Sequence, residues 1–392
     1  MGKELDAAPR HPHIGVVALV PDNWGTYWQP RHQVLTRLTE YFHVAWVTPA
    51  RHWRHLQVPS TNDLGDPHDP GAHGMLVWDE RMGIPRTHRP AWLARRLFAL
   101  RVHGVMRRLR RRGCRILVLS LWRPEFEPAL DASGFDYACY HIDDEYTFAD
   151  NDAPLSTDEL DVLRRVDQVF VTSSGLFEKK GGINPRTTIM PNGVDYARHA
   201  AASPTPPDLR DIPRPRIGYT GFLKATMDWA LLETLADRHR EWSFVFVGPQ
   251  RPHTQIAAPI ERLGRLPNVW FLPGKPSDVV ATYPQHFDVG IMPYRTDSHM
   301  GRYGYPLKLH EYLAAGCPVV GTPIQTLSEF AHVIELASTP NEWSASLARA
   351  LDPESTSAGR RGERRAIADQ HDWDRLVART AEIILRGLSG RG

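Results

Sequence analysis

The chain has 392 residues, of which 42% are hydrophobic and 23% charged. This composition is typical of folded globular proteins, and the length favours two domains. A formal net charge of +2 excludes a strongly basic nucleic-acid binder, so no nucleic-acid partner is predicted. Three widely spaced cysteines, Cys114, Cys139 and Cys317, predict neither a disulfide framework nor a zinc site. Because no apolar run reaches the length of a membrane span, a cytoplasmic protein is expected.

Short apolar runs alternate with helical segments in the first half of the chain. The runs are continuous, which is typical of parallel strands covered on both faces. The predicted strands are 14–20, 43–49, 115–122, 136–142 and 168–173, and the predicted helices include 29–41, 91–112 and 158–166. This alternation indicates an open α/β sheet. Segment 51–90, dense in His, Pro, Gly and Asp, is predicted to be a long irregular insertion.

A proline-rich segment, 201–216, is predicted to be a linker, and after it the alternation restarts. The predicted strands of the second half are 216–221, 243–248, 269–274, 287–293 and 318–323. The chain therefore predicts two Rossmann-like halves with a cleft between them, in which ligands bind at the carboxyl ends of the strands. Gly218 and Gly221 are predicted to flank the first turn of the second half, where glycine lets the backbone approach a phosphate.

The stretch 305–323 predicts a short helix followed by a buried strand. Pro306 suits the first helical position, since proline lacks the N–H that is unpaired there. Leu309 and Leu313, four residues apart, predict a buried stripe. Gly316 suits the left-handed residue that ends a helix.

Lys308 falls in the first turn of this predicted helix, where the helix dipole disfavours a cation. The free N–H groups, the dipole and the lysine together form a good site for an anion such as a diphosphate. Glu311, one turn deeper, can accept hydrogen bonds from two ribose hydroxyls. The alternative is that Lys308 pairs with Glu311 or lies in solvent, and both interpretations are open at this point.

Polar side chains follow a predicted strand of the first half in the stretch YHIDDEY, residues 140–146. His141, or a carboxylate of Asp143 or Asp144, can act on an acceptor hydroxyl or bind sugar hydroxyls. The alternative is that these side chains cap the strand and the next helix. No metal site is predicted.

The loop after the first strand, 21–33, is rich in aromatic side chains, which suit sugar rings. It is the candidate acceptor loop, with Trp24, Tyr27, Trp28 and Arg31 as its candidate residues. The alternative is that the tryptophans pack in the core.

The segment 91–115 predicts a basic amphipathic helix, which can lie on an anionic membrane surface. The alternative, which we favour, is an ordinary packed helix in an arginine-rich protein.

Residues 306–323, PLKLHEYLAAGCPVVGTP, resemble the C-terminal signature of GT-B glycosyltransferases, in particular the family 4-like group. Four further segments resemble that group in order along the chain: 28–49, 167–195 with its closing PNGVD, 215–249 and 266–294. The resemblance implies an α/β GT-B fold with two Rossmann-like domains facing across a cleft. It implies an acceptor-binding domain at 1–205, a nucleotide-sugar-binding domain at 206–372, and a helix at 373–392 that crosses back to the N-domain.

The resemblance also implies the activity: transfer of a hexose-like sugar from a nucleotide diphosphate sugar to an acceptor hydroxyl, with retention of configuration and without a metal. The acceptor is a glycan, a lipid-linked molecule or a small molecule. In the donor site, the resemblance implies that Glu311 holds the ribose. Our hypothesis for the diphosphate is that Lys308, Lys224 and backbone N–H groups hold it, with Arg295 or Arg302 supplying further positive charge. Gly221 and Leu309 complete the predicted donor site. The N-domain is expected to place His141 or Asp143 beside the reacting carbon.

Two positions depart from the family pattern. Tyr303 stands where many members carry a first glutamate that contacts the transferred sugar, and Phe222 stands roughly where they carry an arginine on the diphosphate. A second hypothesis is therefore a non-catalytic GT-B protein that binds a nucleotide or glycan or supports a partner glycosyltransferase. A third keeps the fold and changes the reaction to sugar epimerisation.

Overall fold

The computed structural model describes residues 8–24, 28–55, 74–80, 85–87, 89–147, 153–250 and 254–390. Within these residues the strands form two sheets in which every pairing between neighbouring strands is parallel. Parallel sheets need both faces covered, and helices cover both faces of each sheet.

The first sheet has seven strands in the order β3-β2-β1-β4-β5-β6-β7. They are β1 (Ile14–Leu19), β2 (His43–Val47), β3 (Leu76–Trp78), β4 (Ile116–Leu121), β5 (Tyr137–Ile142), β6 (Gln168–Val171) and β7 (Thr187–Ile189).

The second sheet has six strands in the order β10-β9-β8-β11-β12-β13. They are β8 (Arg216–Thr220), β9 (Ser243–Val247), β10 (Val269–Leu272), β11 (Val289–Met292), β12 (Val319–Gly321) and β13 (Glu335–Leu336).

Helices lie between the strands. In the first part of the chain they are α1 (Pro30–Leu38), α2 (Ala91–Arg111), α3 (Thr157–Arg165), α4 (Ser174–Lys180) and α5 (Tyr196–Ala200). After β8 they are α6 (Trp229–Arg238), α7 (Thr254–Gly264), α8 (Ser277–Val280), α9 (His299–Tyr303), α10 (Lys308–Ala315), α11 (Gln325–Ser328), α12 (Pro340–Ala350), α13 (Ala358–Gln370) and α14 (Trp373–Ser389). No helix among the described residues is both long enough and apolar enough to cross a membrane.

The last helix returns to the first sheet. Trp373, Leu376 and Ala381 of α14 belong to the buried cluster that covers the α1 face of that sheet, and α14 packs against α1 and β5. The predicted architecture of two Rossmann-like halves with a returning helix is confirmed. The predicted boundaries at 205/206 and 372/373 stay predictions.

Each sheet reverses its strand order once, between β1 and β4 in the first sheet and between β8 and β11 in the second. In open α/β sheets, ligands bind in the crevice that forms at the carboxyl ends of the strands at such a reversal. The loops after these four strands are therefore the places to search for a site.

The helix α10 differs from its prediction at one end. It begins at Lys308, with Leu307 as its N-cap residue, so Pro306 lies before the helix and not at its first position. The Pro306 carbonyl accepts the Leu309 N–H at 3.2 Å, which forms a tight turn that leads into the helix. At the other end, Gly316 has a φ of +76° and ends the helix in the left-handed conformation, as predicted.

Candidate functional site

The turn after β8 is built from closely packed backbone. Gly221 has a φ of +120°, which favours glycine, and its N–H donates to the Val247 carbonyl at 2.9 Å. A Cβ on Gly248 would clash with the Gly221 carbonyl. Gly218, in contrast, lies inside β8, where a Cβ would overlap the Phe287 ring. Its predicted place beside the turn is therefore wrong, and this glycine allows packing within the domain.

Lys308 lies directly beside this turn. A Cβ on Gly221 would lie 3.6 Å from Lys308 Cε and 3.7 Å from its Nζ. The ammonium donates to the Tyr294 hydroxyl at 2.9 Å and lies 4.8 Å from the centre of the Tyr219 ring. Lys308 is half-buried and pairs with Tyr294. It therefore neither forms an ion pair with Glu311 nor extends into solvent, the two alternatives that the sequence left open.

The charge of Lys308 is retained in this setting. Burial acts to lower the pKa of Lys308, but the phenols of Tyr219 and Tyr294 act to raise it, and the net pKa lies well above the ordinary value. A cation next to a glycine turn, at the reversal between β8 and β11, is an arrangement that suits a diphosphate.

Glu311 lies one turn along α10 from Lys308. Its side chain is half-buried, and within the described residues its carboxylate makes no hydrogen bond or ion pair. It is thus available to accept hydrogen bonds from ligand hydroxyls. Leu309 is fully buried in the core of the second domain, and its N–H is used by the turn before the helix. Donor contacts for both residues stay predictions.

Asp144 of the first domain interacts electrostatically with side chains of the second domain. It follows β5 in the first domain, and the positive groups that act on its pKa are His299 and Lys224 of the second domain. Burial is the largest cause of the raised pKa of Asp144, the neighbouring Asp143 adds to it, and His299 and Lys224 oppose it. From the sequence, Asp143 is the predicted catalytic acid of this adjacent pair, since the pattern of a loop does not show which acid faces the other domain.

Asp143 itself is held by internal partners. Its carboxylate lies 2.6 Å from a guanidinium nitrogen of Arg31 and accepts from the Tyr146 hydroxyl at 3.0 Å. Arg31 is only 6% exposed and also forms an ion pair with Asp22. Through these ion pairs Arg31 connects the loop after β1 with the loop after β5. In this conformation Arg31 therefore holds the two loops in place from the protein interior. Its predicted contact with an acceptor stays a prediction.

His141 is buried beneath the same loops. Its ring stacks on Trp122 with a centroid distance of 4.2 Å and an interplanar angle of 7°, and Phe170 lies 5.3 Å away. Burial lowers the pKa of His141 to about 3, so the imidazole is neutral at physiological pH. A catalytic part for His141 stays a prediction; the observed contacts are those of a core residue.

The predicted acceptor loop lies on the α1 face of the first sheet. Trp24 packs edge-on against Trp46 at 5.2 Å, and Trp28 stacks on His32 at 5.9 Å between ring centres. These contacts match the alternative of core packing. Tyr27 lies outside the described residues. An acceptor role for the loop stays a prediction.

The loop that carries Asp144 is anchored by a buried ion-pair cluster. Lys180 is fully buried, and its Nζ lies 2.6 Å from Glu159 Oε1 and 3.1 Å from Glu145 Oε2. Glu145 directly follows Asp144, so Lys180 ties the loop to α3 and α4. The sequence did not predict this cluster, because its three members lie in separate elements. Taken alone, each of them is expected to be a charged side chain exposed to solvent.

Arg302 and Tyr303, at the end of α9, contact the first domain. Tyr303 is 4% exposed and belongs to the buried cluster on the α2 face of the first sheet. The Ser173 hydroxyl donates to its carbonyl at 2.8 Å, and Arg302 lies 5.5 Å from its ring centre. The residue at the position of the family's first glutamate is therefore part of the contact between domains. A donor contact for Arg302 stays a prediction.

No group of three or more His, Cys, Asp or Glu side chains in the described part of the chain is placed to hold a metal ion. The charged groups near the two strand reversals are Lys308 beside Gly221, Glu311 on the same helix, and Asp144, which interacts electrostatically with Lys224 of the second domain. Together they can neutralise a diphosphate, bind hydroxyls and accept a proton.

A family model described as "Glycosyl transferases group 1" matches residues 214–352. That segment contains Gly221, Lys224, Lys308 and Glu311. Among curated proteins, the "Putative teichuronic acid biosynthesis glycosyltransferase TuaH" of Bacillus subtilis (strain 168) is 30% identical over 241 residues. That match covers 57% of this chain and 57% of the relative.

Solved structures share the fold over nearly the whole chain. One is described as "Trehalose-6-phosphate from E. coli bound with UDP-2-fluoro glucose", with a TM-score of 0.67, 14% identity and coverage of 95% of this chain and 98% of that one. Another is WaaG, a glycosyltransferase involved in lipopolysaccharide biosynthesis, with a TM-score of 0.58, 15% identity and coverage of 95% and 99%. These likenesses show the GT-B fold.

Proposed function

We propose that this chain, which carries a glycosyl transferases group 1 domain at residues 214–352 and has the GT-B fold, is a nucleotide-sugar-dependent glycosyltransferase. The second domain binds a nucleotide diphosphate sugar, and the first domain binds an acceptor with a free hydroxyl. The observation that carries the proposal is the position of Lys308 beside the Gly221 turn, at the strand reversal of the second sheet.

In the proposed reaction, the bond between the sugar C1 and the diphosphate oxygen breaks, and a bond between C1 and the acceptor oxygen forms. The nucleoside diphosphate leaves with the electron pair of the broken bond. Lys308 and Lys224 stabilise its developing charge together with backbone N–H groups near Gly221. The proton of the acceptor hydroxyl passes to Asp144 or to the leaving diphosphate.

Four finer points belong to the same proposal. The transferred sugar is hexose-like, its configuration is retained, no metal is needed, and the acceptor is a glycan, a lipid-linked molecule or a small molecule. The solved structure from E. coli supports a nucleotide diphosphate sugar, since it is bound with UDP-2-fluoro glucose. The two cations near Gly221 support charge compensation by protein groups.

The first experiment is a thermal-shift screen of the wild-type protein with UDP, GDP, dTDP, ADP and their common sugar conjugates. A ligand that binds the folded state alone raises the melting temperature by mass action. We expect one nucleotide family to give a clear shift, followed by donor hydrolysis and transfer that persist in EDTA. No shift at millimolar ligand would contradict the proposal and favour the non-catalytic hypothesis, and loss of activity in EDTA would contradict metal independence.

Peripheral contact with an anionic membrane through residues 91–115 is a further part of the proposal. Trp92 and Leu100 of α2 are 61% and 53% exposed. With Arg96, which lies 5.7 Å from the Trp92 ring, they repeat at a spacing of four residues and share one face of the helix. Exposed aromatic and apolar side chains among arginines suit an anionic bilayer surface. Co-sedimentation with phosphatidylglycerol vesicles, lost in Trp92→Ser, tests this contact.

A further inference from the structure

A cavity of about 370 Å³ lies in the first domain, and Pro21 at the start of the candidate acceptor loop is the only described residue of that loop in its lining. Its lining includes Pro21 after β1, Pro49 after β2, Arg123 after β4 and residues of α2. It therefore occupies the strand reversal between β1 and β4, the position in the first sheet that corresponds to the Lys308 turn in the second. Its volume lies within the range of small-molecule sites.

Three arginines give the cavity a cationic lining. Arg86, Arg101 and Arg123 line it, with Glu125 as the acidic side chain of the lining. Arg101 is 5% exposed, and its guanidinium donates to the carbonyls of residues 48, 78 and 79. Burial lowers the pKa of Arg101 to about 10, so it is still charged at neutral pH. A guanidinium held in this way has its position fixed by the fold, and guanidinium groups suit phosphate.

Other residues of the lining are apolar. Ala94, Leu97 and Phe98 of α2 line the cavity together with Phe126, which follows β4. The three α2 residues are only partly buried, and the Phe98 ring also stacks on Phe126 at the edge of the core. At 100° per residue, Leu93 and Leu100 lie on the helix face next to this stripe. Leu100 is 53% exposed, so an apolar path leads from the cavity along α2 to the surface.

We propose that this cavity binds an anionic amphiphile, with its phosphate or diphosphate at the arginines and its apolar chain along Ala94, Leu97 and Phe98. The cavity has room for the head group and the first part of a chain, and the remainder follows the surface of α2 toward Leu100. That the amphiphile is the sugar acceptor rests on the proposed function.

A short series of contacts connects the cavity to the cleft. The Arg123 guanidinium lies 4.3 Å from the centre of the Tyr146 ring. The Tyr146 hydroxyl donates to Asp143, and Asp144 is the next residue. A head group held at Arg123 is therefore one side chain away from the loop that faces Lys224 and His299. This places the hydroxyl-bearing end of a bound amphiphile toward the donor.

The test is equilibrium binding by calorimetry with three probes: octyl phosphate below its micelle concentration, octyl glucoside with the same chain and a neutral head, and inorganic phosphate. We expect octyl phosphate to bind at least tenfold more tightly than either of the others. Arg123→Gln and Leu97→Asn should each weaken it at least fivefold. Ala94→Trp, which fills the cavity, should abolish it. Arg107→Gln, an exposed arginine of the same helix outside the cavity, is the matched control and should bind as the wild type does.

Three outcomes would overturn the inference. Equal affinity for inorganic and octyl phosphate would indicate a site for small phosphates alone. Equal affinity for octyl glucoside would indicate an apolar groove without selection for charge. Octyl phosphate binding unchanged in Ala94→Trp, with a wild-type melting temperature, would place the ligand elsewhere, such as on the membrane-contact face. Nucleotide binding is measured in parallel: octyl phosphate binding without any nucleotide binding leaves the cavity site standing and overturns the transferase proposal alone.

Discussion

The Lys308 ammonium lies 2.9 Å from the Tyr294 hydroxyl and joins the start of α10 to the loop after β11. The contact holds a cation at the strand reversal of the second sheet, next to the Gly221 backbone. The phenol gives Lys308 a neutral partner, so a bound anion does not have to break an existing ion pair. This arrangement favours the binding of a ligand phosphate over structural pairing.

Replacing Lys308 with alanine should weaken nucleoside diphosphate binding by about 1.5–3 kcal/mol, the range for a hydrogen bond to a charged group. This is roughly a ten- to hundredfold change in Kd, measured by calorimetry with the nucleotide found in the screen. Arg265→Ala removes an exposed cation of the same domain and is the control. If a folded Lys308→Ala protein bound the nucleoside diphosphate as tightly as the wild type, Lys308 would not be a diphosphate ligand.

Gly221→Ala should destabilise the protein by more than about 1 kcal/mol, because alanine is strained at a φ of +120°. Gly362 lies within α13, where an added Cβ meets no atom within 4 Å. Gly362→Ala should therefore stabilise by about 0.5–1 kcal/mol. Urea unfolding of both variants gives the comparison. A Gly221→Ala protein as stable as the wild type would show that the turn tolerates a side chain.

Substitutions of the two adjacent acids should have different effects: one should lower activity and the other should lower stability. Asp144→Asn should lower kcat by about 10²–10⁴-fold, the usual contribution of a group that takes a proton. The raised pKa of Asp144 means that the folded state holds its proton longer than the unfolded state. Stability therefore falls as pH rises through that raised pKa, and at pH 7 the Asn variant should be at least as stable as the wild type.

Asp143→Asn is the matched counterpart. It removes one partner of buried Arg31 and should cost about 1.5–3 kcal/mol of unfolding free energy. Equal kcat losses in both variants, with equal stability, would contradict the distinct roles assigned to Asp144 and Asp143.

His141 should make the protein sensitive to acid. Its pKa is lowered to about 3 in the folded state by burial, against 6.5 as the ordinary value. The neutral imidazole therefore contributes stability that is present above pH 6.5 and is lost as pH falls toward 3. In His141→Phe, which retains an aromatic ring against Trp122, the slope of unfolding free energy against pH should be smaller by up to about 1.4 kcal/mol per pH unit. If unfolding free energy changed with pH in the same way in the wild type and in His141→Phe, a lowered pKa of His141 would be contradicted.

Lys180→Met should destabilise the fold by about 3–5 kcal/mol, because it leaves buried Glu145 and Glu159 without their cation. The exposed pair of Arg265 with Glu261 supplies the contrast, and Arg265→Met should change stability by less than about 0.5 kcal/mol. Denaturant unfolding at pH 7 measures both. A small effect of Lys180→Met would mean that water reaches the cluster.

Local patterns predicted most of the fold. All ten strands predicted from apolar runs are present, and α2 ends within one residue of its prediction. The three strands that were missed, β3, β7 and β13, have only two or three residues, too few to show a periodicity. Each of these short strands lies at the edge of a sheet and forms by pairing with a longer strand beside it.

The candidate site was predictable where its residues lie close to helix and strand ends. Lys308 and Glu311 share one helix, and Gly221 marks the end of a strand, so short-range rules identified them. The cavity at Arg101 was not predictable, because its guanidinium is held by carbonyls that lie 22 to 53 residues away in the sequence. In the sequence, Arg101 is one arginine among many on a basic helix.

Tyr303 has a consequence for how the cleft opens. Its ring comes from the second domain but is buried in the core of the first, with Lys179 at 5.0 Å from its centre. Any hinge rotation that separated the domains here would move this ring into water, at a cost of about 2 kcal/mol for a large apolar side chain. That cost reduces the open population roughly thirtyfold. Tyr303 is thus a clasp, and a polar residue at this position would speed ligand exchange by letting the protein open more often.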